Sequence, residues 1–420
     1  KLVSLKALNF DYSDSLKEIP DVSSLQTLQE FSFKACRNLV TVHSSVGFLN
    51  KLKILNAEDC GKLRSFPPSI NLPSLEKLLL SGCLSLEDFP EILEEMENVK
   101  MLHLIGSGIK DLPCSFRDLS GLWRLEMSGD EMYKIPSVIA MMPRLSLCEI
   151  ELGGNKGRVS RKQEEGLHGI FTHFIPSSNM KYLYLTNSNL SDDFSPLAVA
   201  WFPNVEILDL TGNNFTVLPE CIQQFRFLWW LIVDHCKNLR EIKGVPPNLK
   251  IFSAVNCKSW SPGCTSVLLN QEVHEGGRTR FVMPGGRIPR WFEQHCSGAS
   301  VSFWFRGTKF PHDALCLAIL LTNDLPSPIE VTPIVTINGN QVSIGWWKRM
   351  DQLFIFNLEP HYSCTTLHFE KGWNHAEVSY KARQRHKSYY KKVPSESIAK
   401  EIGMHVLKQK SSSIIEDIRF

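Results

Sequence analysis

The sequence lacks the features that mark membrane-spanning and secreted chains. Its longest unbroken apolar run, residues 314–321, has 8 residues, whereas a membrane helix needs about 20. The chain begins at Lys1 rather than Met, and no apolar signal segment comes after it. We therefore expect no membrane partner.

Signature motifs of nucleotide binding and catalysis are also missing. Neither G-x-x-x-x-G-K-S/T nor G-x-G-x-x-G occurs, and H-E-x-x-H and G-x-S-x-G are absent as well. The spacing of His361, Cys364 and His368 resembles that of metal ligands, but a zinc site needs a fourth ligand, so chance placement is the preferred interpretation. We expect no enzyme activity, no catalytic residue, no metal and no cofactor.

The chain also lacks a strong net charge, since 44 acidic residues nearly balance its 46 basic ones. Residues 1–262 hold 27 basic and 30 acidic side chains, and residues 263–420 hold 19 and 14. This asymmetry distinguishes two parts of the chain but does not predict nucleic acid, and we expect no nucleic-acid partner. The segment Lys381–Lys392 has six basic residues and no acid. A solvated strand or loop is expected there, with phosphate or nucleic-acid contact as the alternative.

What the sequence does contain is an internal repeat, the phrase L-x-x-L-x-x-L-x-L-x-x-C. We call the last position of each copy its register mark. Successive marks are 21 to 25 residues apart, except for one interval of 33. This period and phrase predict leucine-rich repeats. The marks are Ser13, Cys36, Cys60, Cys83, Ser107, Asp130, Asn155, Ser188, Asn213, Cys236 and Cys257.

The phrase also predicts the shape of each repeat. Its L-x-L part alternates, which indicates a short strand with inward leucines, and an Asn, Ser or Cys at the mark can hydrogen-bond buried loop backbone. No single copy can bury its own face, so the copies must stack. We predict an α/β leucine-rich-repeat solenoid of about 11 repeats over residues 1–262, with a parallel β-sheet on its concave face.

Two irregularities interrupt this pattern. The first copy starts at Lys1 without a polar cap, and since solenoid ends need caps, we expect the natural chain to extend upstream. The long interval contains an insertion at about residues 156–177, where apolar residues at helical spacing predict a helix on the convex side. A protruding contact element is the alternative.

The repeat ends after Cys257, and a different pattern begins. Residues 263–279 are interpreted as a junction, and residues 280–410 show short alternating strands, with a hairpin turn at Asn338-Gly339. This pattern predicts an all-β sandwich, with a tail at 411–420. The predicted strands are 299–305, 314–322, 331–337, 341–346, 353–357, 365–369, 376–380 and 404–408.

The residues of both parts match a known family. The repeats, with phrases such as LLLSGCLSLEDFP at residues 78–90, resemble those of plant intracellular immune receptors of the TIR–nucleotide-binding–LRR class. The second part is similar to the post-LRR domain of that class, also called C-JID, a β-sandwich of jelly-roll or immunoglobulin-like type. The specific segment is FVMPGGRIPRWF at residues 281–292, with closing motifs at Trp373-Asn374 and 403–406. Arg290 departs from the family pattern, which often has an acidic or small residue there.

The resemblance implies a function. Such receptors begin with a TIR domain and a nucleotide-binding domain, and any NAD cleavage would belong to the TIR domain. This chain is then the sensor half, expected to bind a pathogen effector, contact the receptor's own nucleotide-binding domain and trigger innate immune signalling. The full receptor is expected to oligomerise on activation, in the cytoplasm, with the nucleus as a further location.

Candidate protein-binding residues are predicted from the strand geometry. Residues that flank the inward leucines face the concave side, and aromatic residues are enriched at binding hot spots. For Trp230 and Ile232, packing as an interdomain seam is the alternative. In the second part, Trp291 and Phe292 are expected in the core, whereas the arginines of the same loop are expected to be exposed. The candidates are Tyr182, Tyr184, Asp209, Trp230, Ile232, Asp234, His235, Arg287 and Arg290.

The even number of cysteines, twelve, suggests a competing hypothesis. In it the chain is an extracellular LRR receptor ectodomain that binds a peptide or protein ligand. Sequons at Asn189 and Asn214 are compatible with it. However, five cysteines fall on register marks, where a thiol serves as a small buried group. This placement indicates a reducing compartment rather than disulfides.

Overall fold

Most residues of the chain are described by the computed structural model. They form two compact units. Contacts group Lys1–Asn213 with Gln224–Leu228 in the first unit, and Asn214–Gln223 with Trp229–Phe420 in the second. The insertion predicted at residues 156–177 lies outside the described residues. These are 4–129, 136–152, 179–192, 202–298, 300–307, 310–311, 315–321, 329–343, 353–357, 369–385, 390–393, 399–407 and 417–420.

The first unit contains a parallel sheet to which each repeat contributes one short strand. Its order is β1-β3-β5-β7-β9-β10-β11-β12-β13, and small parallel pairs β2–β4 and β6–β8 lie on the return limbs. The predicted solenoid with a parallel sheet is thereby confirmed. The strands are β1 Ala7–Asn9, β2 Glu18–Ile19, β3 Glu30–Ser32, β4 Thr41–Val42, β5 Ile54–Asn56, β6 Ser69–Ile70, β7 Lys77–Leu79, β8 Glu91–Ile92, β9 Met101–Ile105, β10 Arg124–Gly129, β11 Leu147–Leu152, β12 Tyr182–Tyr184 and β13 Ile207–Asp209.

The register of this sheet places equivalent residues of each repeat side by side. The central position of the strands is Leu55 in β5, Leu78 in β7 and Leu102 in β9, and all three are buried. The residues on either side of this position have the opposite orientation, as expected from the two-residue period of a strand. We call their surface the outer face. Short 3-10 helices rather than long α-helices occupy the return limbs, at Ser44–Phe48, Cys114–Asp118 and Ser137–Met141.

Several register marks hold buried backbone as predicted, whereas the buried hydroxyl of the mark Ser107 has no hydrogen-bond partner among the described residues. The marks Asp130 and Asn155 lie outside the described residues. The Sγ atoms of Cys36, Cys60 and Cys83 each donate to a carbonyl oxygen of the preceding repeat at 3.1 Å. In the second unit Cys257 does the same to Val233. Burial raises the pKa of Cys60 to about 11 and that of Cys83 to about 12, so these thiols keep the proton that they donate.

Asn213 makes more hydrogen bonds than the cysteine marks do, because its amide can both donate and accept. The buried Asn213 donates from Nδ2 to the carbonyl oxygens of Leu185 and Leu210 at 2.7 Å. Its Oδ1 accepts from the backbone N–H of Leu190 at 3.0 Å. One side chain thus satisfies three backbone groups that would otherwise be buried without partners.

The second unit begins with further repeat strands and continues into antiparallel sheets. Its first short pair, β14–β16, is parallel. The strands are β14 Val217–Leu218, β15 Trp230–Ile232, β16 Glu241–Ile242, β17 Ile251–Ser253, β18 Arg280–Met283, β19 Gln294–Cys296, β20 Ser300–Arg306, β21 Leu315–Leu321, β22 Ile329–Ile337, β23 Asn340–Ser343, β24 Leu353–Asn357, β25 Trp373–Arg385, β26 Tyr390–Val393, β27 Ala399–Val406 and β28 Ile418–Arg419.

Strand β18 joins the two kinds of sheet. It pairs in parallel with β17 on one side and antiparallel with β24 on the other. Its Phe281 continues the buried central position of the repeat strands, after Leu231 and Phe252. The Phe252 and Phe281 rings are 5.8 Å apart. The parallel ladder therefore runs through this strand, and backbone pairing connects the repeats of this unit to its antiparallel strands.

Two sheets share one apolar core in the rest of this unit. One continues from β18 in the order β24-β21-β27-β19, and the other has the order β23-β22-β25-β20-β28, with β26 on β25. Side chains of both meet in one cluster, which includes Phe303 and Phe305 of β20, Leu317 of β21 and Phe354 and Phe356 of β24. The last two rings are stacked at 4.5 Å.

The sequence located most of these strands but missed several features. The hairpin turn is confirmed, since Asn338 and Gly339 have φ values of 48° and 82° between β22 and β23. The segment interpreted as a junction instead forms two short helices, α1 Pro262–Leu268 and α2 Gln271–Glu275. Ser261 caps α1 and Asn270 caps α2 through their side chains. The predicted strand at 365–369 lies almost entirely outside the described residues.

Candidate functional site

Tyr182 and Tyr184 occupy the outer face of the first unit, on either side of the buried Leu183. Tyr182 lies between Leu147 and Ile207 of the neighbouring strands. Tyr184 lies between Glu149 and Asp209 in the next row. Both tyrosines are half-buried, so part of each side chain is accessible to solvent. The structure thus brings three predicted site residues together within this unit: Tyr182, Tyr184 and Asp209.

Carboxylates dominate the electrostatics around Tyr184. Burial raises the pKa of Asp209, although hydrogen bonds from Thr211 oppose the rise. Burial also raises the pKa of Glu149, and the charges of Glu126 and Asp209 add to it. The pKa of the Tyr184 hydroxyl is raised by burial and by the carboxylates of Asp209 and Glu149. The tyrosine hydroxyl therefore stays protonated and available as a donor.

An ion-paired group adjoins these carboxylates. Glu126 is buried and accepts from Nε of Arg124 at 2.7 Å, and its other oxygen lies 2.7 Å from Nδ1 of His103. Burial alone would raise the pKa of Glu126, but these hydrogen bonds outweigh it and the pKa lies below its usual value. The sequence could not predict the pairing of His103 with Glu126, because the two residues are a whole repeat apart.

Trp230 and Ile232 occupy the corresponding positions of β15 in the second unit. Both are half-buried, Trp230 lies beside Ile251 and Ile232 beside Ser253, and the Trp229 and Trp230 rings are 5.8 Å apart. This gives an apolar face at the predicted position. Within this unit the parallel ladder continues beyond them through β18.

Asp234 and His235 are engaged inside their own turn. Oδ1 of Asp234 accepts from the Ser253 hydroxyl at 2.6 Å and from the Val255 N–H at 2.7 Å. His235 has a φ of 58°, and its Nδ1 lies 2.9 Å from Nδ2 of Asn256. The alternation predicted their exposure, and the structure adds that both help to shape the turn between repeats.

Arg287 and Arg290 lie on the loop after β18, and both are exposed as predicted. The apolar residues of this loop are buried instead. Phe292 is in the core as predicted, and Trp291 is half-buried with Nε1 donating to the Leu269 carbonyl at 2.7 Å. Because the rings anchor the loop, the arginines are held outward at fixed positions.

The closing motif at 403–406 packs against this loop. A Cβ at Gly403 would come within 2.8 Å of Ile288 and 3.1 Å of Phe292, so a larger residue there would displace these side chains. The buried His405 lies edge-on to Trp291, with the ring centres 5.0 Å apart. Two motifs that are more than 100 residues apart in the sequence thus form one structural element.

The imidazole of His295 makes structural contacts. Nδ1 of His295 lies 2.7 Å from Oε1 of Glu401, and its Nε2 lies 3.0 Å from the Phe292 carbonyl. In the part of the chain that the structure describes, no group of three His, Cys, Asp or Glu side chains is arranged to hold a metal. His361, Cys364 and His368 lie outside the described residues. No helix within the described ranges is long and apolar enough to span a membrane.

Comparison with known families identifies the repeats. Residues 71–261 match the model for the leucine-rich repeats of RPS4B-like disease resistance proteins. The repeats of this chain are therefore similar to those of plant disease-resistance proteins. The chain spans a quarter or less of the length of resistance proteins such as N, RPP4 and RML1A.

Individual resistance proteins of the TIR–nucleotide-binding–LRR class match over the same region. TMV resistance protein N of Nicotiana glutinosa is 28% identical over 288 residues, covering 59% of this chain and 25% of the relative. RPP4 of Arabidopsis thaliana is 39% identical over 174 residues, covering 36% and 15%. RML1A of Arabidopsis thaliana is 33% identical over 155 residues, covering 36% and 15%.

Solved structures give a weaker likeness. The leucine-rich repeat domain of the type III effector XopL has a TM-score of 0.37 at 18% identity, covering 62% of this chain and 77% of that one. This similarity is too low to carry a functional argument.

Proposed function

We propose that this chain is the effector-recognition and regulatory half of a plant disease-resistance receptor. It binds a pathogen protein through the outer face of its repeats and the loops of residues 280–410. Binding then triggers innate immune signalling by the upstream domains. The observation that carries this proposal is the pair Tyr182 and Tyr184, half-buried between apolar and carboxylate neighbours on a rigid parallel sheet.

The chemistry of this face suits a protein ligand. Aromatic side chains fixed on strands bury large areas at little entropic cost and dominate protein interfaces. The apolar groups beside Tyr182 and the carboxylates beside Tyr184 provide a mixed surface, and a specific interface would bury on the order of 1,600 Å² in total. The carboxylates favour a partner that presents Arg or Lys next to an apolar group.

The second part fits the C-JID domain of the same receptor class. Support comes from two antiparallel sheets around one core, as in a β-sandwich, and from the contact of residues 281–292 with Gly403. We assign residues 1–262 to the repeat domain, 263–279 to the connecting segment, 280–410 to the sandwich and 411–420 to the tail.

The remaining proposals rest on the receptor class. The chain contacts its own nucleotide-binding domain, the full receptor oligomerises on activation, and the receptor acts in the cytoplasm, with the nucleus as a further location. Signalling chemistry belongs to a TIR domain, and this chain acts by binding.

The thiols weaken the case for an extracellular ectodomain. Cys36, Cys60, Cys83 and Cys257 donate hydrogen bonds to carbonyls, which requires the reduced form. Peptide mapping by mass spectrometry without reductant should find these cysteines unpaired. Disulfides among them would support the ectodomain instead.

Crosslinking of the chain to co-expressed pathogen effectors tests the proposed surface. An effector bound at the outer face should crosslink to Lys181, which immediately precedes strand β12. Lys51 and Lys62, which are exposed outside the strands, serve as internal controls. Crosslinks confined to these two controls would contradict the proposed surface.

A further inference from the structure

Aromatic and basic side chains form a strip on the outward side of β20, β25 and β28 in the second unit. We define the aromatic-basic strip as Trp304, Arg306, Trp373, His375 and Arg419. They occupy strand positions that alternate with the buried residues of the core. The proposed effector surface uses none of them.

Trp304 is the centre of this strip. It pairs across the sheet with His375 on one side and Arg419 on the other. The His375 ring centre is 4.9 Å from that of Trp304, and the Arg419 guanidinium lies 4.3 Å above the Trp373 ring. Even so, Trp304 is 47% exposed. A large flat ring therefore faces solvent beside the His375 imidazole, while the Arg419 cation stacks on the neighbouring Trp373.

The basic segment singled out in the sequence begins on the same strand. Beyond His375, β25 runs through Glu377 to the exposed Lys381, where the six-cation segment Lys381–Lys392 begins. Arg383 of β25 pairs with Lys392 of β26. Alternate residues of a strand are roughly 7 Å apart, so cationic positions recur along this strand. Glu377 is the acidic residue between the two groups.

We propose that the aromatic-basic strip binds single-stranded nucleic acid. A base stacks on the exposed indole of Trp304, and Arg306, Arg419 and Lys381 contact phosphates of the same strand. Sequence-tolerant binding of single strands combines such stacking with cations that follow the backbone, and exposed aromatic residues on an antiparallel sheet are a known platform for bases. An acidic protein segment would use the cations but would not need the open ring face.

Overall charge could not predict this site, because the net charge of +2 averages the strip with acidic surfaces elsewhere. The strip depends on register. Trp304, His375 and Arg419 are distant in the sequence and become neighbours only through the pairing of three strands.

Titration of fluorescein-labelled oligothymidylate and oligouridylate with the purified chain tests the proposal. Fluorescence anisotropy at about 50 mM salt should show saturable binding that weakens steeply as salt rises. Three phosphate contacts predict a slope of about −2 in a plot of log association constant against log salt. Trp304→Ala should weaken binding about tenfold, and Arg306→Gln/Arg419→Gln should reduce the slope by about 1.4.

Matched controls come from outside the strip. Trp123→Ala removes another exposed indole, which is 40% exposed in the first unit, and Arg240→Gln/Lys243→Gln removes two exposed cations from the second. Both controls should bind as the unmodified chain does, and circular dichroism establishes that every variant is folded.

Three results would overturn the proposal. The first is the absence of saturable binding, and the second is equal binding by Trp304→Ala and the unmodified chain. The third is stronger, Trp304-dependent binding of poly-glutamate than of either oligonucleotide, which would assign the strip to an acidic protein segment.

Discussion

The repeats of the first unit and the two antiparallel sheets of the second bury their apolar residues in different ways. In the repeats, each strand pairs with the next copy about 23 residues further on, as Leu55 does with Leu78. In the sheets, core neighbours such as Phe303 and Phe356 come from distant segments. Stability in stacked repeats is nearly a sum of nearest-neighbour terms, whereas one shared core loses its contacts together. The comparison therefore predicts local damage in the first region and shared damage in the second.

The largest effect is expected for Phe356→Ala. Phe356 is buried and stacked on Phe354, and removal of such a ring costs about 3–5 kcal/mol of unfolding free energy. Hydrogen exchange should accelerate throughout both sheets, while strands β3 to β7 of the repeats keep their protection. Phe48→Ala, which removes a 42% exposed ring, is the control and should leave exchange unchanged. Faster exchange confined to β24 would contradict the shared-core account.

Asn213→Leu tests whether the damage caused by a substitution in the repeats stays local. It removes three hydrogen bonds to backbone groups, and each buried group left without a partner costs about 1–3 kcal/mol. We expect a loss of about 3 kcal/mol in urea unfolding of the repeats, with faster exchange near residues 185–190 and 210. Asn50→Leu at an exposed position should change stability by less than about 0.5 kcal/mol. Equal losses of unfolding free energy in both variants would contradict the role of the register mark in hydrogen-bonding buried backbone.

Two glycines with positive φ, one in the repeats and one in the antiparallel sheets, allow the two regions to be compared directly. Gly339 in the β22–β23 hairpin has a φ of 82°, and open space surrounds its Cβ position. Gly82 in the repeats has a φ of 75°, and a Cβ there would meet Asp59 Oδ1 at 2.6 Å and the Asp59 backbone at 3.1 Å. Gly339→Ala should cost about 1 kcal/mol of unfolding free energy from backbone conformation alone, and Gly82→Ala should cost more. Thermal unfolding of the two variants measures the difference, and equal losses would show that repeat packing adds nothing.

The smallest effect is a pH dependence on the outer face. Burial and the neighbouring charges of Glu126 and Asp209 raise the pKa of Glu149 above its usual value of 4.5. The folded state then binds this proton more tightly than the unfolded state, so stability falls as pH rises from 4.5 through the folded pKa. Glu149→Gln should therefore raise the melting temperature slightly at pH 7 and have no such benefit below pH 4.5. A benefit that grows toward low pH would contradict this sign.

The sequence predicted the repeats in detail because one pattern recurs. Equivalent positions are occupied by Leu55, Leu78 and Leu102. A thiol or amide at the mark is placed to hydrogen-bond buried backbone. The strand pairings of the second unit do not recur, so the alternation at 299–305 and 376–380 predicted strands but not their neighbours. For the same reason no pattern linked Trp304 to Arg419. In the repeats, the pattern predicted the positions of His103 and Glu126 but not the contact between their side chains. Helices α1 and α2 were missed because each is too short to show a helical period.

The most direct test of the recognition account is the affinity of an effector captured by co-expression. The variant Tyr184→Ala/Trp230→Ala removes one candidate ring from each unit. Hot-spot residues contribute about 2 kcal/mol or more each, so we predict that the dissociation constant rises at least about tenfold, while Phe48→Ala leaves it unchanged. The same affinity for the double variant and the unmodified chain would contradict the assignment of recognition to these two rings.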